Sequence, residues 1–197
     1  MSFYSFFSSF KKNIYIPRLL LCLNVFFSCV LLQTTHVHGG FKILGLPQDH
    51  VILKDMTIME SFDSAVYGYE GATYMVSNVL CSGCMWGASV DSTSGILHNV
   101  VIQDCVMEGI WCLHHGILTL SGEHTTIHNN CAGPDPSHCH AICVESNTLI
   151  QLLCNGINDP LMCFDSSAVT IGGKGKIVVI DGTGTVLTVV YDGQHDV

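Results

Sequence analysis

Apolar and polar positions alternate in short runs along most of this chain, and the runs are separated by Gly, Asn, Asp or Ser. No stretch carries the i, i+3, i+4 stripe of an amphipathic helix, so the period of two predicts strands. The alternation also recurs. "NVLCSGCMWGASVDSTSG" (Asn78–Gly95) is followed by the similar "NVVIQDCVMEGIWCLHHG" (Asn99–Gly116), and parts of it return in "TTIHNNC" and "HAICVESN". Aligned on itself, the chain gives one column of Cys84, Cys105, Cys131 and Cys154. A second column starts at Ala65, Gly87, Gly109 and Ala141, with steps of 22, 22 and 32 residues. The long step holds "GPDPSH" (Gly133–His138), the composition of a loop inserted between strands.

A unit of this length with two or three strands cannot bury its own apolar face. Stacking successive units as coils solves the problem, because like residues then pile up at about 4.8 Å, the strand spacing. The expected fold is therefore all-β: a right-handed parallel β-helix of about five to six short coils. Alternation sets its faces. Val66, Ala88, Ile110 and Ile142 should point inward, as should Gly68, Val90, Cys112 and Val144. Tyr67, Ser89, Trp111 and Cys143 should point outward, with Tyr69, Asp91, Leu113 and Glu145. The tail "KIVVIDGTGTVLTVVYDG" reads as two strong strands around Asp181-Gly182-Thr183-Gly184, a C-terminal β-hairpin able to cap the stack.

The ends and the charge add constraints. Lys11, Lys12 and Arg18 precede the apolar run Leu19–Leu32, which is short of the roughly 20 residues of a membrane span. Val37 and Gly39 supply small residues for cleavage, so residues 1–39 read as a signal peptide and the protein as secreted. Residues 40–197 would form the β-helix domain, with coils over about 51–170 and C-terminal strands over 171–192. A membrane contact is expected only if the leader stays uncleaved. All 16 acidic residues lie beyond the leader, against Lys42, Lys54, Lys174 and Lys176 alone. With no Lys or Arg between Asp55 and Gly173, phosphate backbones have nothing to grip, which excludes a nucleic-acid partner.

The repeats resemble those of the right-handed, pectin-lyase-like β-helix, through turns such as "HNNC" and strands such as "GIWC", over roughly Val51–Thr170. They are also similar to Cys-containing coils of large eukaryotic surface proteins of the fibrocystin kind, which act as extracellular scaffolds. The first resemblance implies sugar chemistry, on a fold that hosts many activities. Lyases of this kind use Arg or Lys as base and hold uronates with further cations, and the coil region has neither. Polygalacturonase-type hydrolases carry several motifs of which only "HHG" (His114–Gly116) is present.

The expectation is accordingly a non-catalytic module whose outward face, bearing Tyr67, Tyr69, Asp91, Trp111 and Glu145, meets a polysaccharide or an extracellular protein surface. Aromatic rings on a flat β face suit sugar stacking, and they suit burial against another chain equally. The alternatives are a polysaccharide hydrolase or lyase, and a structural segment of a larger assembly. Asp91 and Glu145 lie two coils apart, about 10 Å by strand spacing, at the limit for an inverting carboxylate pair. No cofactor is expected, apart from a divalent metal on His138 and His140 in the inserted loop, near Cys131, Cys139 and Cys143. The cysteine column has two readings: a stack of small buried side chains, or disulfide staples such as Cys84–Cys105 or Cys131–Cys154.

Overall fold

The computed structural model describes residues 14–15, 19–22, 29–31, 35–133, 141–145, 147–153, 169–171, 175–181 and 183–191, with side chains over most of 36–186. The chain is all-β among these residues, with parallel sheets stacked as a β-solenoid of about five turns. One sheet has eleven strands and the other seven.

Each regular coil contributes one long strand to the large sheet and one short strand to the smaller. The long strands His50–Met59, Thr73–Ser82 and Ser94–Gln103 lie parallel and in register, so that Leu53, Val76 and Leu97 form one inward column. The short strands Ser64–Tyr69, Trp86–Asp91 and Ile110–Leu113 do the same on the other side. There Val66, Ala88, Ile110 and Ile142 stack one on another, each no more than 1% exposed, as alternation predicts. Gly68, Val90, Cys112 and Val144 form the next inward column.

The coil turns by single residues in the left-handed backbone region. Asp55, Asn78 and Asn99, with φ of 53°, 53° and 51°, bend the long strands in the middle. Glu60, Gly83, Asp104 and Asn129 make the next corner, and Glu70, Ser92 and His114 the third. Asp, Asn and Gly tolerate this region best, which is why such residues punctuate the apolar runs. At the first corner the side chains also stack: Asn78 donates to Asp55 at 2.9 Å, and Asn99 donates to Asn78 at 3.5 Å.

Small residues decide how tightly the rungs close. A Cβ on Gly87 would collide with the Gly109 carbonyl and with Ile102, so this rung of the second repeat column has to hold Gly. Tyr74 shows the opposite adjustment. Its large ring is 2% exposed inside the stack, and Gly68 and Gly95 leave the space it fills. Its hydroxyl donates to the Ser89 carbonyl at 3.2 Å, which satisfies the polar end of the buried ring.

The cysteine column is partly as expected. Cys84 and Cys105 follow the corner residues Gly83 and Asp104 in neighbouring coils, and both are free, buried thiols. Of the two readings, these residues take the first: each donates its S–H to the carbonyl two residues earlier, Ser82 and Gln103. No Cys84–Cys105 staple is present. Cys131 falls out of the column. The register pairs Gln103 with His128, which brings Asn130 beside Cys105, and Asn130 Oδ1 accepts the Cys105 N–H at 3.1 Å. Cys84 and Cys105 come one residue after their corners and Cys131 two after Asn129, so Asn130 is the extra residue that makes the shift. Cys131 is not a free thiol, and Cys154 lies outside the described residues.

At the C-terminal end, Lys176–Ile180 and Val186–Tyr191 form the expected antiparallel hairpin on the large sheet. Asp181 Oδ1 accepts the N–H groups of Thr183 and Thr185 at 2.9 and 2.8 Å and closes the turn. The Thr183 hydroxyl, which donates to the same oxygen at 2.6 Å, and then these N–H groups hold the Asp181 carboxyl below the usual range. At the other end, Thr35–His38 pairs in parallel with Met56–Met59, and Val37 is buried in the core. Leu19–Cys22 and Cys29–Leu31 also pair in register with Phe41–Leu44 and Val51–Leu53.

Candidate functional site

The outer face of the smaller sheet carries the unusual side chains. Because alternate residues point the same way, the register builds an outward column of Lys42, Tyr67, Ser89, Trp111 and Cys143. A second column runs through Leu44, Tyr69, Asp91 and Leu113, and Glu145 continues it by donating its N–H to the Cys112 carbonyl. Tyr67, Tyr69, Asp91, Trp111 and Glu145 are all partly exposed here. Ser89 and Cys143 differ from expectation, being 1% and 7% exposed. Both are short side chains in a column that also carries rings, and so they lie below its surface. Ser89 Oγ shares a hydrogen bond of 2.8 Å with Ser64 Oγ.

The aromatic residues do not form one continuous ladder. Tyr67 and Tyr69 stack on each other, centroids 5.8 Å apart, and Lys42 Nζ sits 5.2 Å from each ring. Trp111 stacks instead on Trp86, at 5.4 Å and 20° between planes. Ser89 occupies the rung between Tyr67 and Trp111, so the face has a tyrosine end and a tryptophan end.

Carboxylates accompany both pairs. Asp91 accepts from the Tyr67 hydroxyl at 3.4 Å and from Ser92 Oγ at 2.9 Å, and its Oδ1 lies 3.1 Å from His114 Nδ1. Burial, reinforced by the Asp91 charge, pushes the Tyr67 phenol up to about 12. At the other end, each tryptophan donates its indole N–H to a different carboxylate. Trp86 reaches Glu108 at 2.9 Å and Trp111 reaches Glu145 at 3.4 Å. The Cys143 thiol donates to Glu145 Oε1, also at 3.4 Å. Burial, then the bond to Glu145 and the charges of Glu145 and Glu108, raise that thiol to about 12. It is a poor nucleophile for that reason.

The structure thus brings Tyr67, Tyr69 and Asp91 together, and separately brings Trp111 and Glu145 together. Trp86, Glu108 and His114 are further members that alternation along the strands does not select, and Lys42 is one that it does. Trp86 and Glu108 had a signal of their own: "MWG" and "MEG" are spaced 22 residues apart, each just before the glycine that opens a repeat. Lys42 is the rung before Tyr67. Among the described residues, no group of three or more His, Cys, Asp or Glu is arranged to hold a metal ion. His138 and His140 lie outside the described residues. No family model matches the chain, and neither a curated protein nor a solved structure matches it.

Proposed function

We propose that this chain is a secreted, non-catalytic module of the right-handed, pectin-lyase-like β-helix kind, and that its smaller-sheet face contacts a glycan. The observation that carries this reading is the placement of two aromatic pairs beside the partly exposed Asp91 and Glu145 on one outward β face, with Glu108 buried behind Trp86's indole N–H. Rings offer apolar surface to the C–H faces of sugars, and carboxylates accept from sugar hydroxyls. A glycan array probed with the secreted protein should return hits that weaken in Trp111→Ala. An array with no hits, unchanged by that substitution, removes the glycan contact. Export itself is checked by the N-terminal residue of the protein recovered from medium, expected to be Gly40.

A second reading is favoured by one contact. His114 Nδ1 faces Asp91 Oδ1, and this leaves Nε2 of an exposed imidazole free to move a proton. It is an acid–base pair that a polysaccharide hydrolase could use in place of the usual two carboxylates. Release of reducing ends from a polysaccharide panel, abolished in Asp91→Asn, would replace the non-catalytic reading with this one.

A further inference from the structure

The charges around the tryptophan pair narrow the class of glycan. We infer that this face takes a cationic glycan, one whose sugar rings bear free amino groups; the inference rests on the glycan reading above. Trp86 and Trp111 stack at 5.4 Å, and the carboxylates bonded to their indole N–H groups flank the pair. Glu145 Oε1 accepts from both the Trp111 indole and the Cys143 thiol, which leaves its other oxygen for a ligand. An ammonium group placed there meets the partly exposed Glu145, with the charge of the buried Glu108 nearby, and the face of a tryptophan, which attracts cations through its quadrupole. Asp91 adds a third anion on the same face.

Among the described residues, no lysine or arginine is placed at this end. The sequence has no Lys or Arg between Asp55 and Gly173, and Lys42 is placed over Tyr67 and Tyr69. The same charges oppose polyuronates and sulfated glycans, which would bring like charge against Asp91, Glu108 and Glu145. A basic peptide shares the charge but suits the surface less well. Peptides dock on open strand edges or in grooves, and the interior strands of this sheet already have their ladder bonds made on both sides.

Isothermal titration of the full chain with four probes tests this: oligomers of glucosamine, of N-acetylglucosamine, of glucose and of galacturonic acid. The glucosamine oligomer should bind about fivefold more tightly than its N-acetylated counterpart, the scale of the one partly exposed ion pair at Glu145. The Glu108→Gln, Glu145→Gln double variant keeps an acceptor for each indole and should abolish that preference. Raised salt should shrink it in the unaltered protein, a check that needs no variant. Equal affinity for the glucosamine and glucose oligomers would overturn the cationic class and leave the glycan reading standing. Failure of all four probes would overturn both. Binding of an oligolysine peptide in their place would overturn both in favour of a protein partner.

Discussion

The two ends of the smaller-sheet face are built from the same parts in different order. At the tyrosine end, Lys42 covers both rings and Asp91 is occupied by Tyr67, Ser92 and His114. At the tryptophan end, the buried Glu108 and the partly exposed Glu145 accept from the indoles, and among the described residues no lysine or arginine lies over the rings. One end has neutralised itself with its own cation. The other presents anions and awaits a cation from outside. Position in the stack makes the difference, since Lys42 belongs to the rung that precedes the cation-free coils.

Substitutions can break or sharpen that contrast, and the largest effect should come from removing what both ends share. Ile110 is fully buried between Ala88 and Ile142 beneath the face. Ile110→Ala should cost about 2–5 kcal/mol in urea unfolding and weaken both ends together. Trp111→Ala should act on one end only. It removes the stacked pair, costs about 1 kcal/mol beyond lost area, and should weaken ligand binding far more than Tyr69→Ala does. Equal losses in the two variants would dissolve the distinction between the ends. Lys42→Met should cost about 0.5–1 kcal/mol at this exposed site, and it should make the tyrosine end more receptive to cationic probes.

The smallest effect is a titration. The unfolded chain ionises its tyrosines near 10.0, whereas folded Tyr67 keeps its proton to about 12. Between those values unfolding releases a proton, so stability present below pH 10 should fall as pH rises towards 12. Asp91→Asn should lower the Tyr67 value and narrow that window, because one of the anions opposing the phenolate is gone. Tyrosinate absorbance paired with thermal melts measures both. An unshifted titration would show that burial alone sets the value.

Much of the fold was legible because repetition exposes it. The alternation at Ile110, Ala88 and Ile142 gives their common inward direction, and the 22-residue step gives their neighbours. The hairpin around Asp181 was equally plain. The corners were less so: Glu60, Glu70 and His114 are not residues that advertise a left-handed backbone, and only stacking against their neighbours identifies them. The cysteine column failed at Cys131 because one extra residue, Asn130, follows the Asn129 corner, and sequence alone does not say where slack is taken up. The site was half visible. Tyr67, Trp111, Asp91 and Glu145 follow from parity within a strand. Trp86 precedes Gly87, where tight packing against Gly109 interrupts the regular alternation, so its partnership with Trp111 depends on geometry that counting by twos does not capture.

The corner residues at Asp55, Asn78 and Asn99 imply a rule for how such a molecule changes its size. Duplicating one 22-residue unit would keep every bend above its predecessor and extend the face by a single rung of about 4.8 Å. Inserting a dozen residues within a strand would misalign all three edges at once. The reach of this surface therefore varies in whole-number increments, and a longer ligand is met by copying a turn rather than by stretching one.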